Sequence, residues 1–207
     1  MNLNLPMTDV SLPELSETLS SPWELATALS ILFEPSPILS STLAPQLSST
    51  LKRKPLITTY AELVDIAIST VNTWDNTLAA EFIAGHPRIG ESHNLSNLSA
   101  KEQGASTTAI ATQSDVLHRL AHLNACYERT YPGLRYITFV NGRSRAAIAE
   151  EIEDVLGIDH SLESGKPPVE KLKAVNVGGD RWKGELDRAT KDVGRIAKSR
   201  LKAMGVN

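Results

Sequence analysis

The sequence predicts an all-α protein, a compact single-domain bundle of about six to eight helices over residues 20–204, behind a variable leader at 1–19. Three observations carry that expectation. Apolar residues recur at alternating steps of three and four, proline and glycine fall between the periodic stretches, and the one strand-like stretch, Tyr136-Ile137-Thr138-Phe139-Val140, has no second strand to pair with. At 207 residues and 41% hydrophobic, the chain can cover one core well, whereas two full domains would each be thin.

The leader mixes Ser, Leu and Pro without a sustained period. Leu25, Leu29, Leu32 and Phe33 then predict a short helix over 23–33. Glu34-Pro35-Ser36-Pro37 stops it, because each proline disfavours helix in the residue before it. A second helix follows through Ser41-Thr42-Leu43. The strongest early period, Leu63, Ala67, Val71, Trp74, Leu78 and Phe82, predicts one helix over 60–83 with Gly85 as its C-terminal cap. A helix beginning near Ser99 carries Ala105 and Ile110, and its successor presents Val116, Leu117, Leu120, Asn124 and Tyr127.

After Tyr131-Pro132-Gly133 the stretch 136–140 reads either as a strand or as an extended lead-in to the next helix. Ser144 or Arg145 opens that helix, Ile148, Ile152, Val155 and Leu156 give its apolar face, and Gly157 closes it. Residues 158–184, with Gly165-Lys166-Pro167-Pro168 and Gly178-Gly179, read as a polar loop or insertion. A last helix covers 185–204.

Charge and composition narrow the function. Lys+Arg 21 against Asp+Glu 24 leaves a formal charge of -3, which offers no overall field to gather nucleic acid or an anionic membrane. A small-molecule or protein partner fits better. No apolar run approaches the roughly 18 residues of a membrane span, so the expectation is a soluble intracellular chain, cytoplasmic or peroxisomal. The terminal Gly205-Val206-Asn207 is not the Ser-Lys-Leu type of peroxisomal address, although other import routes exist. The single Cys126 has no internal disulfide partner and is read as a small core residue.

Several constellations have chemical content beside a plain structural reading. His86 follows a helix end, where an imidazole complements the negative end of the dipole. Pro87 also confines its backbone to extended conformations, and a stiffly held imidazole suits a general acid or base. Ser99-Ala100-Lys101-Glu102 matches a capping box, and a helix start also offers free N–H groups to ligand oxygens. Stepped at about 100° per residue, Arg200 falls within the apolar stripe of Ala189, Val193, Ile196 and Ala197, while Arg188, Lys191, Arg195 and Lys198 lie opposite. Arg200 therefore either snorkels outward or meets an anion inside, such as Glu102 or a substrate carboxylate. Asn141-Gly142-Arg143-Ser144 is a helix lead-in that can hold an oxygen-rich ligand. His118 and His122 stand four apart without the acidic residue of a zincin motif between them, so no metal site is assigned.

In order and approximate spacing, an ensemble of stretches resembles the OHCU decarboxylases, the 2-oxo-4-hydroxy-4-carboxy-5-ureidoimidazoline decarboxylases of urate breakdown. These are Phe33-Glu34-Pro35-Ser36-Pro37, His86-Pro87-Arg88-Ile89-Gly90, Ser99-Ala100-Lys101-Glu102-Gln103, Leu123-Asn124-Ala125-Cys126-Tyr127, Tyr136 through Arg143, and Gly194 through Leu201. The ordered set is specific; no single stretch is. The resemblance implies an all-α fold, a homodimer, and decarboxylation of OHCU to (S)-allantoin with no metal or organic cofactor. It assigns His86 as the catalytic acid and Glu102 as the carboxylate beside it. It further gives Pro87, Ser99, Glu102, Gln103, Thr138, Phe139, Val140, Asn141 and Gly142 to substrate binding, and Arg200 to the site from the last helix. The 158–184 insertion is longer than most relatives have, and Tyr136 stands where phenylalanine is common. A helical interaction module without catalysis is the alternative from another class.

Overall fold

The computed structural model describes residues 11–52, 57–91, 96–102, 114–161, 163 and 165–206. Among them the chain forms nine α-helices and no strand, in agreement with the all-α expectation. The short α1 (Leu15–Ser20) leads into α2 (Pro22–Phe33), whose start is set by Ser21 accepting the Glu24 amide and by Pro22 in the first turn. A π-helical turn at Leu39–Leu43 runs directly into α3 (Ala44–Leu51).

The single helix expected over 60–83 is two helices, α4 (Tyr60–Val71) and α5 (Asn76–Ala84). The run Asn72-Thr73-Trp74-Asp75 between them has weak helix propensity. The Asp75 carboxylate accepts the amides of Thr77 and Leu78 at 2.9 and 3.0 Å, which starts a new helix rather than continuing the old one. The apolar period passes through the break because both helices present it to the same core.

The chain continues through α6 (Asn97–Glu102), α7 (Ser114–Thr130), α8 (Arg145–Leu156) and α9 (Asp180–Ala203). Ala105 and Ile110 lie outside the described residues. α9 starts five residues before its expected position, directly after Gly178-Gly179, so 180–184 belong to the helix and not to the insertion. α9 packs against α2, α4 and α5, while α7 pairs with α8. Leu29, Leu63, Phe82, Leu120, Cys126 and Trp182 are among the buried core residues. No helix among the described residues is long and apolar enough to cross a membrane.

The strand-like stretch 136–140 pairs with no strand among the described residues. Its carbonyls are met by guanidinium groups instead: Arg188 donates to Ile137 at 2.7 Å, and Arg143 to Phe139 at 2.6 Å and Val140 at 3.0 Å. Arg188, expected on the solvated side of α9, is thereby drawn inward, lies over the Tyr136 ring and pairs with Glu185 and Asp192.

The insertion is docked on α7 by side chains of that helix. Arg119, 1% exposed, pairs with the equally buried Glu153 of α8 and donates to the carbonyls of Glu163 and Lys166. His122 donates from Nε2 to the Pro167 carbonyl at 2.9 Å, which gives this histidine a structural task.

Candidate active site

His86 sits one residue past Gly85, the C-cap of α5. Gly85 does not use a left-handed conformation, since its φ is −67°. The missing side chain matters for space: a Cβ there would stand 2.8 Å from Cβ of Ser36, so the Glu34-Pro35-Ser36-Pro37 loop can lie against the His86 corner only if this position is glycine. His86 Nδ1 faces the Phe82 carbonyl at 3.1 Å. A carbonyl can only accept, so Nδ1 carries the hydrogen and Nε2 is left with a lone pair. The ring packs edge-on against Phe82, and the His86 carbonyl accepts from Arg135. The rest of the His-Pro segment is held to α7, where Glu128 pairs with Arg88 and Asn124 Nδ2 donates to Ile89 at 2.9 Å.

Burial, and after it the positive charge of Arg200, push the His86 pKa down to about 4, against an opposite pull from Glu34. The imidazole is therefore neutral near pH 7.

Ser99 is buried, but it is not the cap of α6. Ser96 takes that role, accepting the Ser99 amide at 3.1 Å. The Ser99 hydroxyl is free to point elsewhere and donates to Glu34 Oε1 at 2.5 Å, to which Ser96 also donates at 2.8 Å. Arg200, 3% exposed, completes the cluster: Nη2 reaches Glu34 Oε1 at 2.6 Å and Ser99 Oγ at 3.0 Å, and Nη1 donates to the Ile31 and Leu32 carbonyls. It does not snorkel. Burial would lift the Glu34 carboxyl, but Arg200 and the two serines outweigh that and hold it below the usual carboxylate range.

Glu34 is the residue that sequence reading passed over. It was visible only as a carboxylate trapped between Phe33 and Pro35, within a stretch that carried the resemblance but no role. In the fold its φ is 66° with ψ 141°, a conformation that costs a non-glycine residue about 1–3 kcal/mol.

The other expected residues are placed less uniformly. Pro87 adjoins His86 and is half-buried. Glu102 ends α6, but its side chain, like all of Gln103, lies outside the described residues. Thr138 is buried, with its hydroxyl donating to Glu151 at 2.8 Å, and Phe139 lies beneath Arg195. Val140 opens a tight turn in which Asn141 and Gly142 both have positive φ, 47° and 76°, closed by the Arg143 amide on the Val140 carbonyl at 3.0 Å. That turn is tied to His86 through the chain, since Arg135 at the head of the segment grips the His86 carbonyl.

The family described as OHCU decarboxylase matches this chain over residues 19–166. The chain belongs to the OHCU decarboxylase family. A comparison with curated proteins found no match. The family makes the chain a carboxy-lyase of urate degradation that acts on a small molecule. The match takes in Glu34, His86, Ser99, Glu102, Gln103 and the 138–142 turn and ends before α9. Arg200 thus lies beyond the matched span of this decarboxylase, yet the fold brings it onto Glu34.

The neutral His86 makes the decarboxylase acid-sensitive. A folded-state pKa of about 4 against an ordinary 6.5 means that, between those values, the unfolded chain binds the proton and the folded chain does not. Stability is full above pH 6.5 and falls as the pH drops toward 4, by on the order of 3 kcal/mol from this group. Glu34, with its pKa lowered, adds a second loss below 4.5. The exposed His160, paired with Asp154, works in the opposite direction. Urea midpoints at pH 7, 5 and 4 check this: the wild type should lose midpoint between pH 7 and 5 and His86→Asn should lose less, and parallel curves would show that His86 is not buried neutral.

Proposed function

We propose that this chain decarboxylates 2-oxo-4-hydroxy-4-carboxy-5-ureidoimidazoline to (S)-allantoin, with His86 as the proton-transfer group. The observation that carries this reading is His86 itself: a buried imidazole, neutral, with Nδ1 spent on Phe82 and Nε2 ready to accept, beside the Glu34–Arg200–Ser99 cluster.

The substrate has its own electron sink. When the bond to the carboxylate carbon breaks, CO2 leaves and the electron pair forms a double bond to the ureido-bearing ring carbon, while the ring imine nitrogen takes up a solvent proton. An enol remains. His86 Nε2, a free base at neutral pH, takes the enol hydroxyl proton, which restores a carbonyl, and returns that proton to the ureido-bearing carbon. Delivery from one fixed imidazole reaches one face of the ring, which accounts for a single enantiomer.

Glu102 is assigned to orient His86, and Gln103 to a substrate carbonyl, as the resemblance implies. Ser99 acts through Glu34 and Arg200, because its hydroxyl proton is committed there. From residues 138–142 we assign the main-chain amides of Asn141 and Gly142 to ligand oxygens rather than the Thr138 hydroxyl, which Glu151 holds. The test is direct: the purified protein, given freshly generated OHCU, should form optically active (S)-allantoin faster than spontaneous decay. Racemic allantoin at the uncatalysed rate would overturn the reading.

A further inference from the structure

Glu34 combines three features that packing does not require together. It is a carboxylate 5% exposed, it adopts a left-handed φ of 66°, and one of its oxygens accepts from three side chains on two separate elements, Ser96 and Ser99 at α6 and Arg200 on α9. A buried ion pair is a weak source of net stability, since well-packed apolar residues commonly do as well in its place. Stability is thus a poor reason to keep a charged residue in a strained backbone. Control of where Arg200 and Ser99 stand is a better one. The loop that carries Glu34 also lies against Gly85 through Ser36, with only the missing Cβ of Gly85 allowing the approach, so its placement and that of His86 are mechanically linked.

We propose that Glu34 is a positioning residue for the decarboxylation: its carboxylate fixes the Arg200 guanidinium and the Ser99 hydroxyl, drawn from α9 and α6, in register with His86. This rests on the decarboxylase reading for its effect on rate, but not for its effect on the site. Among the described side chains, the charges that act on the His86 ring are Arg200 on α9 and Glu34 after α2, while Arg135 holds the residue's carbonyl; Glu102 on α6 is common to every variant. With Glu34 gone, the pull that opposes burial and Arg200 at the His86 ring is lost and the imidazole becomes harder to protonate.

The experiment compares the full-length wild type with Glu34→Gln. With OHCU, Glu34→Gln should lose roughly 100-fold in kcat with KM changed far less, the scale set by misplacing catalytic geometry by about an ångström. Independently of turnover, NMR of the His86 ring should show the wild type beginning to protonate below about pH 5 and Glu34→Gln remaining neutral at the same pH. A Glu34→Gln protein with wild-type kcat, or one whose lower rate follows its folded fraction while His86 titrates as in the wild type, overturns the proposal. If the wild type itself fails to turn over OHCU, the functional reading fails, and the His86 titration still decides the role of Glu34. Should Glu34→Gln not fold, Glu34→Asp keeps the charge and tolerates positive φ better, but is too short to reach both partners. Reduced kcat at near wild-type KM then supports the proposal, and full kcat overturns it.

Discussion

His86→Ala is expected to reduce kcat for OHCU by roughly 10²–10⁴-fold, the range for loss of a positioned proton-transfer group, while its circular dichroism spectrum stays that of the wild type. The physical reason is the division of labour between the two ring nitrogens. Nδ1 is consumed by the Phe82 carbonyl, which fixes the tautomer, and Nε2 is the only remaining proton acceptor on the ring. Alanine removes both the acceptor and the one-sided delivery, so residual turnover should also lose optical purity. Polarimetry on the product separates the outcomes. A variant that still makes (S)-allantoin at the wild-type rate excludes His86 from proton transfer.

Arg200→Ala carries the largest expected stability effect. It removes the cation from a pair in which both side chains are nearly fully buried and leaves the Glu34 carboxylate, among the described residues, with the hydroxyls of Ser96 and Ser99. Breaking a buried pair from one side costs about 3–5 kcal/mol, because an uncompensated charge stays behind, and two main-chain carbonyls lose their donor as well. The sign of its pH dependence is also set. Without Arg200 the Glu34 carboxyl loses the influence that holds it low, so it takes up a proton more readily in the folded state. The penalty should be largest near neutral pH and shrink as the pH falls toward the ordinary carboxylate range. Denaturant unfolding at pH 7 and pH 5 measures this. A loss below about 1 kcal/mol at pH 7, the scale of a solvent-exposed pair, would show that Arg200 does not stand on Glu34 inside the protein.

The helical class and most helix positions were legible because they rest on local rules. The Leu25–Leu29–Leu32 spacing, the Gly157 stop and the apolar stripe of α9 all act within a turn or two of helix. The errors share one cause, competition between local signals that periodicity alone does not rank. Leu63 through Phe82 keep one period across two helices, so Asp75 as a new cap was hidden behind it. Ser99 and Ser96 both offer a cap three residues ahead of a helical amide, and the earlier serine takes it. Residues 136–140 carry the composition of a strand, yet Arg188 and Arg143 satisfy their carbonyls in place of a neighbouring strand.

For the site, chain-local chemistry marked His86 as rigid through Pro87, and the stripe on the last helix set Arg200 on its apolar side, leaving open whether the side chain snorkels outward or meets an anion inside. Both follow from geometry within a few residues, which the order of amino acids alone dictates. The partner of Arg200 was another matter. The expected anion was one such as Glu102, whose side chain lies outside the described residues, or a substrate carboxylate; among described side chains it is Glu34 that meets Arg200, from 166 positions away. No local rule makes that choice across such a separation. That choice is made when α2 and α9 pack side by side, when Gly85 leaves room for Ser36, and when burial raises the cost of an unpaired charge enough to draw Glu34, Ser99 and Arg200 onto one another.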